Sequence, residues 1–270
     1  MTPTERIGMI AGNGRFPLLF AEAARRAGVD VVAVAHQHET PDEIANLVSH
    51  LTWVRVGELG KIIRTLKQAG IERAVMVGGI RKPRQLSDFR PDFRGAAFIA
   101  KTRTLRDDVL LRGVAAELEH DGITVVESTL FLGDLVPRVG TLTRKAPRTR
   151  EWDDVRFGLE VAREVGRFEV GQSVVVKRRT VIAVEGIEGT DAAIRRGGEL
   201  GRGGVVVVKV SKPGQDLRFD VPAVGMTTIE VMREVDARVL ALEAGRTIMI
   251  DREEMLRAAD AAGIAIVAVA

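Results

Sequence analysis

Ile7-Gly8-Met9-Ile10-Ala11-Gly12-Asn13-Gly14-Arg15-Phe16-Pro17 carries a short apolar run into a glycine turn and on into the Ala-rich stretch 16–27. Strand, tight turn and amphipathic helix in that order, followed by Val31-Val32-Ala33-Val34, spell a βαβ unit with parallel strands. Outward from it, strands are expected over 51–56, 74–77 and 124–126 and helices over 42–48, 61–69 and 105–120. Residues 1–132 are thus expected to form a doubly wound, Rossmann-like α/β domain. From 133 to 150 the pattern gives way to Pro137, Gly140, Arg144, Lys145, Pro147 and Arg148 and reads as a linker. A second α/β domain is expected over 151–270. Its elements are a helix over 153–165, a hairpin of strands 173–176 and 181–184, a helix from Thr190 and a strand over 205–210. Later ones follow over 228–235, 247–250, 253–262 and 264–269.

Composition removes several classes of function. The 270 residues include 40 basic and 37 acidic side chains for a net charge of +3, and only 4% are aromatic, with no Tyr. A nucleic-acid surface would need a basic patch interleaved with stacking rings, so no nucleic-acid partner is expected. With no Cys there is no disulfide, thiolate zinc site or Cys nucleophile. The apolar stretch 7–11 is too short for a signal peptide, and no run approaches the ~20 apolar residues of a membrane span. A cytoplasmic protein is expected.

The glycine turn Gly12-Asn13-Gly14 lies where a strand hands over to a helix, a place suited to an anion. A dinucleotide fingerprint would require Gly or Ala where Pro17 stands and an acid where His36-Gln37-His38 ends the second strand, which argues against a nicotinamide cofactor. A tight turn with no ligand is the plain alternative. A second turn with the same placement, Gly78-Gly79-Ile80-Arg81-Lys82, adds two cations and favours a phosphate-bearing ligand. His36 and His38 decorate a strand end more readily than they hold a metal. Arg103, Arg106, Asp107 and Asp108 begin a helix, where acids suit the dipole.

The most unusual stretch is Lys209-Val210-Ser211-Lys212-Pro213-Gly214-Gln215-Asp216-Leu217-Arg218-Phe219-Asp220-Val221-Pro222. Read as extended over 216–220, it puts Asp216, Arg218 and Asp220 on one face, with the two carboxylates ~13 Å apart at ~3.3 Å per residue. Such carboxylates can hold Mg²⁺ on phosphate oxygens or orient a water, while Lys and Arg offset phosphoryl charge. A solvated, ion-paired strand end is the alternative. The acidic loop Glu185-Gly186-Ile187-Glu188-Gly189-Thr190-Asp191 allows close backbone approach to a ligand, with Thr190 as a plausible N-cap.

These blocks, together with 76–83, 106–108 and 170–176, resemble the LpxI-type UDP-2,3-diacylglucosamine pyrophosphatases over the full length of the chain. At the position of Asn13 that family commonly has Gly. The resemblance implies Mg²⁺-dependent hydrolysis to UMP and 2,3-diacylglucosamine 1-phosphate in lipid A synthesis, with water attacking the sugar-side phosphorus and substrate held between two domains. It also implies an essential Asp in the C-terminal domain, mapped to Asp220 first and Asp216 second. The candidate catalytic set is Asp220, Asp216, Arg218 and Lys212, with Asp220 and Glu188 as metal ligands. Substrate binding is assigned to Gly12, Asn13, Gly14, Gly78, Gly79, Lys82, Gln172, Glu188, Gly189, Thr190, Asp191, Lys209 and Gln215. Phe89, Phe93, Phe98 and Ile99, among Arg81, Lys82, Arg84, Arg90, Arg94 and Lys101, are read as a surface for anionic lipid at the cytoplasmic face of the inner membrane. Expected partners are the UDP-linked diacyl sugar, that membrane as a peripheral contact, and a second copy in a homodimer. A non-catalytic nucleotide-sugar-binding regulator and, more distantly, a nicotinamide-dependent oxidoreductase are the competing readings.

Overall fold

The computed structural model describes residues 5–81, 89–102 and 107–270. Lys82, Arg84, Arg103 and Arg106, singled out above, lie outside them. The chain divides into two compact units. Unit 1 comprises Met1–Gly133 with Asp216–Asp220, and unit 2 comprises Asp134–Gln215 with Val221–Ala270.

In unit 1 the chain runs β1 (Arg6–Ala11), α1 (Phe16–Arg26), β2 (Asp30–His36), a 3₁₀ turn (Asp42–Asn46), β3 (His50–Val54), α2 (Leu59–Gln68), β4 (Arg73–Val77), α3 (Phe93–Thr102), α4 (Asp107–His120) and β5 (Thr124–Val125). The strands form one sheet in the order β3-β2-β1-β4-β5, parallel at every pairing. This is the doubly wound α/β arrangement read from the sequence. Its inner strands β1, β2 and β4 are buried on both faces, which is why they read as near-continuous apolar runs. In α2 the residues Leu59, Ile62, Ile63 and Leu66 recur at helical spacing and are all buried. Each contributes about 1.5–3 kcal/mol of burial against Val32, Val34 and Leu118. Two elements depart from expectation: the stretch expected as a helix over 42–48 is a short 3₁₀ turn, and α3 arises where no helix was expected.

Unit 2 continues with β6 (Gly140–Thr141), α5 (Thr149–Arg167), β7 (Ser173–Lys177), β8 (Thr180–Val184), α6 (Thr190–Gly201), β9 (Val206–Lys209), β10 (Ala223–Val224), α7 (Met226–Glu234), β11 (Val239–Glu243), β12 (Ile248–Met249), α8 (Arg252–Ala262) and β13 (Ala265–Val269). Its main sheet has the order β6-β13-β11-β9-β7-β8 and is mixed, while β10 and β12 form a small parallel pair. Within the stretch 133–150, β6 pairs antiparallel with β13. Alternate residues of the central strands face opposite cores. Val174, Val176, Val206 and Val208 pack with Val155 and Ala162 of α5, whereas Val175, Val207, Leu240 and Leu242 pack with Ile194 of α6 and Ile229 and Met232 of α7.

Candidate functional site

In unit 1 the strand order reverses at β1, so the carboxyl ends of β1 and β4 open the crevice where doubly wound sheets bind ligands. Both glycine turns lie there, and they interlock. The Gly12 N–H donates to Val77 O at 2.8 Å and the Asn13 N–H to Gly79 O at 2.7 Å. A Cβ on Gly12 would stand 2.3 Å from Gly79 O, and one on Gly78, at φ +79°, would stand 2.5 Å from Asn13 O. These glycines therefore permit backbone-to-backbone packing, and the Gly12 and Asn13 N–H groups serve the fold. Gly14, at φ +81°, has open space where a side chain would begin.

Beside the turns stands an acid that sequence spacing did not locate. β2 ends at His36, the next residues turn with His38 at φ 64°, and Glu39 folds back as a buried side chain. His36 Nδ1 lies 2.9 Å from Ala11 O, and Thr40 Oγ1 donates to the same carbonyl at 2.7 Å. Burial lowers the His36 pKa, and the carbonyl fixes the Nδ1–H tautomer. The histidine thus fastens a loop.

Unit 2 gathers a second polar set at the ends of β7, β8 and β9. Register places Ser173 directly opposite Lys209, and Glu185 follows β8 with its N–H on Ser173 O. Lys209 Nζ donates to Thr190 Oγ1 at 2.8 Å, and that hydroxyl donates to Glu185 Oε1 at 2.9 Å. Thr228 Oγ1 donates to Asp191 Oδ1 at 3.2 Å. Lys209 is only 5% exposed; burial lowers its pKa, opposed by the Glu185 and Asp191 charges. Nearby, Gln172 Oε1 is buried without a hydrogen-bond partner among the described residues, as expected where a ligand or water completes the site. Thr190, Asp191, Lys209 and Gln172 therefore come together, with Glu185, Ser173 and Thr228 as additions. Gly189 is the N-cap of α6. Glu188 turns away: its oxygens accept from Arg196 Nη2 at 2.6 Å and the Gly186 N–H at 3.1 Å. Its pKa is lowered by its own backbone N–H first and Arg196 second.

The stretch 209–222 is not extended beyond β9, which corrects the one-face reading. Lys212-Pro213-Gly214-Gln215 is a β-turn with the Gln215 N–H on Lys212 O at 3.0 Å and Gly214 at φ +83°, the type II pattern. Gln215 Oε1 closes it on the Lys212 N–H, and Lys212 Nζ pairs with Glu169. Residues 216–220 coil into one turn, with Asp216 O accepting from the N–H groups of Phe219 at 3.2 Å and Asp220 at 3.0 Å. That bends the two acids to about the 6 Å of an i,i+4 pair, well inside ~13 Å. Asp216 grips Arg218 through Oδ1–Nε at 2.9 Å and Oδ2–Nη2 at 2.8 Å, and Glu119 takes Arg218 Nη1 at 2.8 Å. Arg218 holds the Asp216 carboxyl below its ordinary range, and Asp216 raises the guanidinium in turn. Arg218 is thus committed to two acids, while Asp220 is half-buried at the end of the turn.

Among the described residues no group of three His, Asp or Glu forms a metal cage. Mg²⁺ commonly rests on one or two carboxylates plus substrate phosphates, and Glu188 is already engaged by Arg196 and the Gly186 N–H. Of the rings read as a lipid surface, Phe98 packs partly buried against the unit 1 core, the Phe89 ring lies close to Gly57, and Phe93 is 94% exposed. A groove of about 590 Å³ beside Phe93 is lined by Arg64, Lys67, Arg94, Asp92 and Asp121, but Lys67 and Arg94 are already paired with Asp121. No described helix is long and apolar enough to cross a membrane.

Residues 6–135 match the LpxI N-terminal domain and residues 138–267 the LpxI C-terminal domain. The chain belongs to the LpxI family. It is 32% identical over 275 aligned positions to UDP-2,3-diacylglucosamine pyrophosphatase LpxI of Caulobacter vibrioides, covering 98% of this chain and 97% of that protein. Two solved structures show remote likeness. The ADP complex of N5-carboxyaminoimidazole ribonucleotide synthetase aligns at 15% identity over 65% of this chain and 33% of that one, with a TM-score of 0.29. The structure of gox2253 aligns at 12% identity over 98% and 78%, with a TM-score of 0.32. Scores this low establish no common fold. By family boundaries Asp216–Asp220 falls in the LpxI C-terminal domain, yet by contact it belongs to unit 1.

Proposed function

We propose that this protein is a UDP-2,3-diacylglucosamine pyrophosphatase that releases UMP and 2,3-diacylglucosamine 1-phosphate with Mg²⁺. The observation that carries the reading is the near full-length kinship with a relative bearing that name. Water adds to the sugar-side phosphorus, the P–O bond to the UMP oxygen breaks, and two protons pass to solvent or base. Asp220 orients the attacking water or holds Mg²⁺, which when bound offsets charge on the phosphate oxygens. Asp216 and Arg218 shape the turn that presents Asp220. Lys209, desolvated and braced by Thr190 and Glu185, supplies a fixed positive charge for phosphoryl oxygens in unit 2. Peripheral membrane contact and a homodimer belong to the same proposal, to be tested by vesicle co-sedimentation and sedimentation velocity.

Incubation with UDP-2,3-diacylglucosamine and Mg²⁺ in ¹⁸O water tests the chemistry. UMP should form, with the label in the lipid phosphate. Label in UMP would move the attack to the other phosphorus. Binding without UMP release would instead favour the regulator.

A further inference from the structure

Arg81 follows β4 at the carboxyl edge where β1 and β4 part. Its Nε donates to Glu39 Oε2 at 3.1 Å and its Nη2 to His38 O at 3.2 Å. The same Glu39 oxygen accepts from Asn13 Nδ2 at 3.2 Å. The Glu39 side chain is wholly buried, whereas that of Arg81 is 55% exposed.

A buried carboxylate is costly to desolvate, and a half-exposed arginine returns little stability when it pairs. Stability is thus a poor reason for the pair, while aiming a guanidinium is a good one. Glu39 and His38 O fix the inner edge of the fork. Nη1 has no partner among the described residues, so the outer edge faces away from the loop, in the planar geometry that suits two phosphate oxygens. The fastening of the 36–40 turn to Ala11 O holds Glu39 in place behind it.

We propose that Arg81, aimed by the buried Glu39, grips the phosphate of the nucleotide half of the substrate at the β1/β4 crevice of unit 1. Arg81 touches the ligand; Glu39 is a positioning residue. The identity of the nucleotide as UMP rests on the function proposed above.

Calorimetric titration of the full-length protein with UMP, and separately with uridine, tests this. Arg81→Met should weaken UMP at least tenfold and leave uridine unchanged. Glu39→Gln should weaken UMP several-fold alone but have no further effect in the Arg81→Met background. That double variant removes both charges and keeps the measurement available should Arg81→Met alone fail to fold. UMP affinity unmoved in folded Arg81→Met or the double variant, uridine lost in parallel, or no UMP binding by the wild type would overturn the assignment. Intact UMP binding with no turnover of UDP-2,3-diacylglucosamine would sink the hydrolase reading and leave Arg81 standing.

Discussion

Asp216 and Asp220 sit four residues apart in quite different circumstances. Asp216 is held by two hydrogen bonds from the Nε–Nη2 edge of Arg218, which makes it a brace, whereas Asp220 ends the turn half-buried. Asp220→Asn is expected to lower kcat by roughly 10²–10⁴ in steady-state turnover of UDP-2,3-diacylglucosamine. Asp216→Asn should lower the melting temperature and reduce kcat less; the reverse order would transfer the essential role to Asp216. His36 gives a pH-dependent expectation. Unfolded, it takes up a proton near about 6.5, and folded, burial lowers that value. The unfolded chain then binds more protons, so the stability is present above about pH 6.5 and is lost as pH falls toward the folded value. Melting curves from pH 7 to 5 should show this slope, and His36→Asn, which keeps an N–H for Ala11 O, should flatten it.

At the scale of elements, the interlocked glycine turns show how a motif serves two masters. Gly12 was legible as a turn residue, but its neighbour in space, Gly79 O, comes from a loop more than sixty residues away. Gly12→Ala forces a main-chain collision and should cost about 3 kcal/mol or more in denaturant unfolding. Gly14→Ala meets nothing within 4 Å and pays only for its left-handed backbone, about 1–2 kcal/mol. Equal costs would mean that the turns can separate without loss. The strand β11 was not among the expected elements although its apolar run Val239-Leu240-Ala241-Leu242 carries a strand signal, and α3 was obscured because its aromatic residues read equally well as a surface.

For the whole molecule, the decisive feature is that five residues of the C-terminal family domain belong by contact to unit 1, and one of them, Phe219, enters its core. Phe219 is 8% exposed and joins the cluster that contains Leu66, Leu118 and Val125. Phe219→Ala should destabilise unit 1 by about 3 kcal/mol, seen in calorimetry as a downward shift of one transition with the other in place. A shift of the unit 2 transition alone would contradict the division of the core. Residues 6–135 expressed without the remainder should bind an apolar dye that the full chain excludes.

The sequence by itself determined the α/β class, the parallel sheet of unit 1, the glycine turns and the acidic loop after β8, because hydrophobic period and turn chemistry are local properties. Only the tertiary structure decided which charges are committed to one another. Arg218 answers Asp216 and Glu119, Glu188 answers Arg196, and Arg81 answers Glu39. Ion pairing depends on distances of a few ångströms between groups far apart in the chain, 99 residues for Arg218 and Glu119, and no spacing rule along a sequence carries that information.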